Sequence, residues 1–381
     1  MTCPSCNAAL APGARFCENC GAQLGDPAAV PAPVATAAGD HPLGDAPISA
    51  PTRKPAAALP DPPVPAGRRP CAECGGEVGP DLYCLECGTK APSERDHFQE
   101  RPASWVAGVC DKAIRKNRNE DAMALLAGAH PGGQPGSRAV LIVMDGVSNS
   151  IDSDVASLAG ARAAREVLRM PLPAGMGTPQ SRDAAVRKVL TDAAAAANTA
   201  IVAVTDPDSP NPASATFTAA VLEGRRITWA NIGDSRSYWL PDAGVPVQLT
   251  VDDSVAQAQI AAGVAREVAE AGPQAHAITK WLGRDSEDQK PTVGSLEVTE
   301  SGWLLSCSDG LWNYASEPDA LAAQVRAAGT SDALDLALAL ARFANDSGGH
   351  DNITAALARV DIGGLGQNDQ TPTPGGEPSD G

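Results

Sequence analysis

Aromatic side chains are scarce in this sequence: six Trp, three Tyr and four Phe in 381 residues. Any core must therefore be aliphatic, and Ala and Val fill its periodic stretches. Positive charge is also short. Lys and Arg number 29 against 46 Asp and Glu, a net charge of −17. Residues 1–100 hold 7 basic and 12 acidic side chains, and residues 101–381 hold 22 and 34. Both parts are acidic, which argues against a general polyanion binder and disfavours nucleic acid as a partner. No run of about 18 apolar residues occurs, so no membrane span is expected. Met1-Thr2-Cys3-Pro4 opens without a charged and apolar leader. The expected location is the cytoplasm, where thiols stay reduced.

What the sequence does have is carboxylate, cysteine and 43% hydrophobic residues, enough for a large core. An excess of carboxylates suits a protein that collects divalent cations, although most of them must be solvated surface. Residues 21–70 are rich in Ala, Pro, Gly and Asp without an apolar period, and cannot bury enough surface to fold. They read as an extended linker, taken as 25–68, and the tail 363–381 reads the same way. Between these lies the main domain, expected over 101–362. Ala139–Asp145 is a continuous apolar run of the buried-strand kind. Ala215–Leu222 and Arg226–Leu240 read as strands joined by a Glu223-Gly224-Arg225 turn, and Gly302–Ser308 and Ile353–Asp361 as two more. Helical patterns cover Ser153 or Asp154 to about Arg169, then 181–203, 254–270, 317–328 and 331–345. Hairpin-paired strands with helices set apart predict an α+β layered fold.

The cysteines form an internal repeat. Cys3-x2-Cys6-x10-Cys17-x2-Cys20 is followed by Cys71-x2-Cys74-x9-Cys84-x2-Cys87, and only Cys110 and Cys307 are left over. Two residues between cysteines let both thiolates face one ion, and two such knuckles supply the four tetrahedral ligands of a structural zinc. Gly21, Gly75 and Gly88 follow closing cysteines and permit the turn that brings backbone N–H groups toward sulfur. Phe16 and Tyr83 precede the second knuckles and can pack over each site. Disulfides are disfavoured by the reducing compartment, and a redox pair would come singly. Two zinc ribbons, 1–24 and 69–92, are therefore expected, each binding one structural Zn²⁺. They resemble the small ribbons at the N-termini of bacterial regulatory proteins, which implies docking to a protein partner.

Aspartates recur at strand ends. Asp145-Gly146 closes the apolar run, Asp309-Gly310 follows 302–308, and Asp351-Asn352 precedes 353–361. Glu120-Asp121 stands near the start of the domain, and Asp234 lies in Ile232-Gly233-Asp234-Ser235-Arg236. Each Asp-Gly alone reads as a turn. As a set beside apolar strands they need compensating charge, which hard divalent cations supply.

The order of these motifs resembles the metal-dependent protein phosphatase family (PPM, type 2C) of bacterial type. The residues that carry the likeness are Arg118-Asn119-Glu120-Asp121-Ala122, Val143-Met144-Asp145-Gly146-Val147-Ser148, Ser214-Ala215-Thr216, Ala230-Asn231-Ile232-Gly233-Asp234-Ser235-Arg236 and Leu249-Thr250-Val251-Asp252-Asp253-Ser254. Ile278 to Gly283, Cys307-Ser308-Asp309-Gly310-Leu311-Trp312 and Gly348 to Thr354 complete the series. The resemblance implies a four-layer αββα sandwich of two antiparallel sheets flanked by helices. It implies that Asp145 bridges two Mg²⁺ or Mn²⁺ ions, that Gly146 offers its carbonyl, that Glu120 binds one ion and that Asp309 and Asp351 bind the other. Asp121 would hold metal-bound waters, and Asp234 with Asp309 would form a third, weaker site. The implied activity is hydrolysis of phosphoserine and phosphothreonine by a metal-bridging hydroxide, in line and without a phosphoenzyme, with proteins phosphorylated by Ser/Thr kinases as substrates.

Three positions depart from the family. Its phosphate-holding Arg is Lys116 here, a point charge in place of a fork, with Arg115 and Arg118 beside it. Lys116 or Arg115 is the expected phosphate contact. Val147-Ser148-Asn149 follows Asp145-Gly146, so no histidine general acid stands there. His350 reads as a surface or supporting residue. Asp252-Asp253-Ser254 replaces a common Asp-His-Ser. The alternative is a weak or inactive phosphatase-like module docked through its ribbons. A serine hydrolase is excluded, because Ser148 and Ser235 lie outside any G-x-S-x-G context.

Overall fold

The computed structural model describes Thr2, Cys71 and residues 73–79, 83–89, 91–129, 137–148 and 150–362. The first expected ribbon, the linker and the tail lie outside these residues. The chain divides into two units at Leu59 and Pro60, and the described residues other than Thr2 fall in the second.

In chain order the first four strands are β1 (His97–Ala103), β2 (Val106–Asp111), β3 (Ala122–Gly128) and β4 (Arg138–Met144). Helices α1 (Ser153–Val167) and α2 (Pro179–Val204) follow, then β5 (Ser214–Ala215), β6 (Phe217–Glu223), β7 (Arg226–Ile232), β8 (Arg236–Pro241) and β9 (Val247–Gln248). The last stretch holds α3 (Val255–Ala261), α4 (Arg266–Glu270), β10 (Leu282–Gly283), β11 (Thr292–Glu297), β12 (Gly302–Cys307), α5 (Asp309–Trp312), α6 (Pro318–Ala328), α7 (Ala333–Asp346) and β13 (Ile353–Val360). One sheet runs β1-β2-β13-β12-β8-β9 and the other β11-β7-β6-β4-β3, with a small β10-β5 pair beside them. Neighbours in both sheets are antiparallel.

The apolar run at β4 shows why the layers stack. Successive strand residues point to opposite faces. Val140, Ile142 and Met144 enter the cluster shared with α1 and α2, whereas Ala139, Leu141 and Val143 enter the cluster between the two sheets. A third cluster joins Trp303, Leu305, Ile353, Ala355 and Leu357 to the α7 face of Leu336, Ala337 and Leu340. Three aliphatic cores thus separate four layers, helices outside and sheets within. This is the expected αββα sandwich. Burial of each Leu or Ile contributes about 1.5–3 kcal/mol. Many of the remaining core positions are Ala, which lets the layers approach closely.

Four local expectations are revised. The long strand 226–240 is two strands in different sheets, because the chain crosses over at Gly233-Asp234-Ser235, where Gly233 has φ +94°. The helix 254–270 is broken into α3 and α4 over residues 262–265. Ser254 caps α3 by accepting from Gln257 N–H, while Asp253 is used elsewhere. At α1 the N-cap is Asp152, and the Ser153 hydroxyl turns to Glu120 instead. The domain also starts early: β1 begins at His97, and the edge strands β1, β3 and β11, with β2 beside β1, carried no clear alternation. Among the described residues no helix is long and apolar enough to cross a membrane.

Candidate metal and active site

The carboxylates singled out above are delivered to one end of the sandwich. Asp145 follows β4. Its N–H donates to Thr216 Oγ1 at 2.9 Å, and its carbonyl accepts from Thr216 N–H at 2.8 Å. Asp309 opens α5, directly after β12, and Asp351 lies in the turn before β13. Glu120 and Asp121 occupy the extended segment before β3. Asp234 sits at the crossover between β7 and β8. The C-terminal ends of β4 and β12 and the start of β13 thus lie at the same end of the sandwich, β4 in one sheet and β12 and β13 in the other.

Hydroxyls and amides fix each acid. Asp121 Oδ2 accepts from Ser308 and Thr354, both at 2.7 Å. Glu120 accepts from Ser148 and Ser153 and pairs with Arg118 at 2.7 Å. The Asn352 side chain accepts from Glu120 N–H at 2.9 Å and donates to the carbonyls of Lys112 and Arg118, joining the Asp351 turn to the Glu120 segment. Ser308, Asn352 and Thr354 stood inside quoted motifs, but their role as fixtures of Asp121 and Glu120 required the fold.

Electrostatically the six acids outweigh the two cations paired with them, Lys116 and Arg118. Burial, then Asp121, Asp309, Asp351 and Asp234, push Asp145 well above the usual carboxylate range. Burial, then Asp351, Asp234 and Asp121, do likewise to Asp309 against the opposing field of Lys116. Burial raises Asp121 to about 6, and burial with Asp252 raises Asp234 to about 7 against the opposing field of Arg236. Two buried oxygens, Asp121 Oδ1 and Asp309 Oδ1, have no hydrogen-bond partner. A buried acceptor left unpaired costs about 1–3 kcal/mol, more when charged. Such oxygens fit a hard cation.

The basic residues divide. The Lys116 ammonium meets Asp351 at 2.7 Å, lies 4.0 Å from Glu120 and donates to Ser148 Oγ. Burial lowers its pKa, but Asp351, Asp145 and Glu120 outweigh that and raise it, so it stays charged. Arg115 turns away, donating through Nε to the Gly348 carbonyl at 3.1 Å, and Arg118 is held by Glu120. Of the two expected phosphate contacts, Lys116 is the one within the cluster. His350 is exposed, and its backbone N–H donates to Tyr314 Oη. The Asp252-Asp253-Ser254 departure is also explained. Asp252 grips the buried Arg236 at 2.7 Å, Asp253 accepts from Gly233 N–H at 3.0 Å and Ser254 caps α3. Arg236 stacks on Trp312, 3.5 Å from the ring centroid, and the Trp312 indole donates to the Asp234 carbonyl.

Cys71, Cys74, Cys84 and Cys87 form a separate centre. Their sulfurs all lie within 4.8 Å of one another. Gly76 N–H donates to Cys74 Sγ, and Glu86 and Cys87 N–H to Cys84 Sγ. Gly75 and Gly88 have φ +77° and +71°, the left-handed turns that this needs. Cys3, Cys6, Cys17 and Cys20 lie outside the described residues, but a zinc-ribbon domain model matches residues 2–24.

Protein phosphatase PhpP of Streptococcus pneumoniae is 38% identical over 144 residues, 37% of this chain and 55% of the relative. The chain thus spans about half the length of that relative. Serine/threonine phosphatase stp of Listeria monocytogenes is 28% identical over 225 residues, covering 58% of this chain and 85% of its own. The crystal structure of the Mycobacterium tuberculosis serine/threonine phosphatase PstP/Ppp matches with TM-score 0.51 and 28% identity, over 67% of this chain and 98% of that one. In sequence and in fold the β-sandwich domain is similar to these bacterial serine/threonine phosphatases, as the motif order had suggested. Its acidic end lies on segments that the motif order had marked. One contact there had no sequence signal: Arg95, ahead of β1, reaches the Glu120 segment.

Proposed function

We propose that this chain is a divalent-cation-dependent phosphatase that hydrolyses phosphoserine and phosphothreonine in proteins. The observation that carries the reading is the convergence of six carboxylates, with two buried unpaired oxygens, around a single lysine ammonium. Asp145, the Gly146 carbonyl and Glu120 would hold one Mn²⁺ or Mg²⁺. Asp145, Asp309 and Asp351 would hold a second, and Asp234 with Asp309 a weaker third. When bound, such ions supply Lewis-acid polarisation of the phosphoryl group and make water a nucleophile near neutral pH. The chain's own contribution is placement. Asp121, clamped by Ser308 and Thr354, is a fixed acceptor that orients a water proton. Lys116, at the mouth, draws a phosphate oxygen toward the cluster. No histidine stands among these side chains, so the leaving oxygen takes its proton from solvent within the site.

Proteins phosphorylated by Ser/Thr kinases are the proposed substrates, and the cytoplasm is the proposed location. The two four-cysteine ribbons would each bind one structural Zn²⁺ and serve to dock a protein partner. Proposed boundaries are 1–24 and 69–92 for the ribbons, 25–68 for the linker and 363–381 for the tail. The phosphatase domain is proposed over 101–362, with β1 reaching back to His97 ahead of it. Lys116 at the family's arginine position favours a weaker catalyst as the second reading, since one ammonium replaces a two-pronged fork. Hydrolysis of p-nitrophenyl phosphate and of a phosphothreonine peptide tests both, with Mn²⁺, with Mg²⁺ and after EDTA. Turnover that depends on the added cation is expected. Full activity after chelation would refute the proposal, and no turnover with either cation would select the inactive module.

A further inference from the structure

Arg95 lies in the connector between the second ribbon and the β-sandwich domain, eight residues after Cys87 and two before β1. Its Nη2 faces three backbone carbonyls, Asn119 at 3.3 Å, Asp121 at 3.0 Å and Asp154 at 2.9 Å. Nη2 carries two hydrogens, so one contact is shared. Its guanidinium lies 5.4 Å from the Phe98 ring centroid, and its other terminal nitrogen, Nη1, is buried without a partner. The clasp is reciprocal. Asn119 Nδ2 donates to the Arg95 carbonyl at 2.9 Å, and Asn119 Oδ1 accepts from Asp121 N–H. The connector itself is pinned. Asp96 accepts from the Ser93 N–H and hydroxyl, and its carbonyl accepts from Lys112 N–H.

We infer that Arg95 is a positioning residue for the segment 119–121 and thereby sets the cation affinity of the acidic site. The inference rests on the proposed reading of that site. Glu120 and Asp121 are consecutive in an extended segment, so their side chains diverge. Glu120 goes to Ser148, Ser153 and Arg118, and Asp121 to Ser308 and Thr354. The placement of both carboxylates therefore follows from one short stretch of backbone. That stretch is held on its other side by Asn352, through Glu120 N–H, and by the Ser157 hydroxyl, through the Glu120 carbonyl. Arg95 holds the carbonyls on either side of Glu120. Hydrogen bonds from a charged donor are about twice as strong as neutral ones. Without them, buried acceptors lose their partners and the segment relaxes. Residues that orient a ligand without touching the metal typically govern about 10–100-fold of metal affinity.

The test uses the full-length protein, freed of divalent cations at the acidic site, titrated calorimetrically with MnCl₂ and followed in parallel by Mn²⁺ paramagnetic resonance. Arg95→Ala is expected to bind Mn²⁺ about tenfold more weakly than wild type. Arg95→Lys, which keeps the charge and one donor, is expected to recover part of that loss. Phe98→Leu keeps the guanidinium bonds and is expected to leave affinity unchanged. Zinc content and the melting temperature in EDTA report whether each variant folds. If Arg95→Ala does not fold, Arg95→Lys decides: weaker binding than wild type supports the role, and equal binding overturns it. Wild-type affinity in a folded Arg95→Ala overturns this inference alone. Absence of Mn²⁺ binding by the wild-type protein overturns the phosphatase reading and this inference with it.

Discussion

The acidic site should make the cation-free protein less stable as pH rises, opposite to the trend of a domain whose carboxylates are paired. Burial lifts Asp121 from 3.8 to about 6 and Asp234 from 3.8 to about 7, and lifts Asp145 and Asp309 further. A carboxyl with a raised folded-state pKa binds more protons folded than unfolded. Its stabilising contribution is complete below about pH 4 and is lost as pH climbs through 6 and 7. Each pH unit between 5 and the folded-state pKa corresponds to about 1.4 kcal/mol, so from pH 5 to pH 8 Asp121 loses about 1.4 kcal/mol and Asp234 about 3 kcal/mol. Together the two are worth on the order of 4 kcal/mol over that range. At roughly 2–4 °C per kcal/mol for a domain of this size, the melting temperature in EDTA should fall by about 8–16 °C between pH 5 and pH 8. His276, whose pKa burial lowers, works the other way but only below about its usual 6.5. A cation binds the ionised acids, so Mn²⁺ should raise the melting temperature far more at pH 8 than at pH 5. Differential scanning calorimetry at both pH values, with EDTA and with Mn²⁺, measures all four quantities. A melting temperature in EDTA that holds or rises toward pH 8, or an equal Mn²⁺ shift at both, would show that these acids are not held protonated by burial.

Replacing Asp145 or Asp309 by Ala should lower kcat on p-nitrophenyl phosphate by at least about a hundredfold while circular dichroism stays native, and Asp234→Asn should be milder; wild-type kcat in either Ala variant contradicts the site assignment. Arg236→Met leaves Asp252 buried and unpaired, which should cost about 3–5 kcal/mol by urea denaturation, whereas Arg236→Met with Asp252→Leu should recover much of it. Full-length protein should contain about two zinc ions by elemental analysis, and replacing Cys71 and Cys74 by Ser should remove one of them with kcat on the small substrate unchanged. A several-fold change in that kcat would mean that the second ribbon acts on the site through the connector.

Features with local signals were legible before the chain was folded. The β4 run is buried on both faces and so reads as unbroken hydrophobicity, α2 announces itself as a long Ala-rich run, and α6 and α7 through an acidic first turn after Ser316 and Thr330. The four-cysteine spacing at Cys71 to Cys87 is a property of two turns, and the sulfurs converge as the spacing requires. The acids were recognisable because Asp-Gly and Asp-Asn pairs at strand ends are conspicuous beside aliphatic runs. How those acids meet depends on long-range packing. β4, β12 and β13 come from widely separated stretches, and the partners of Asp121 lie 187 and 233 residues away from it. The crossover at Gly233, invisible in an unbroken strand pattern, sends β7 and β8 to different sheets and sets Asp234 between them. Spacing left Lys116 and Arg115 as candidates, with Arg118 behind them, and side-chain geometry brought Lys116 in and turned Arg115 out. Arg95 is the clearest case. Nothing in its neighbourhood of Ser, Glu and Asp marks it, because its partners are backbone carbonyls, which every residue possesses and no sequence pattern records.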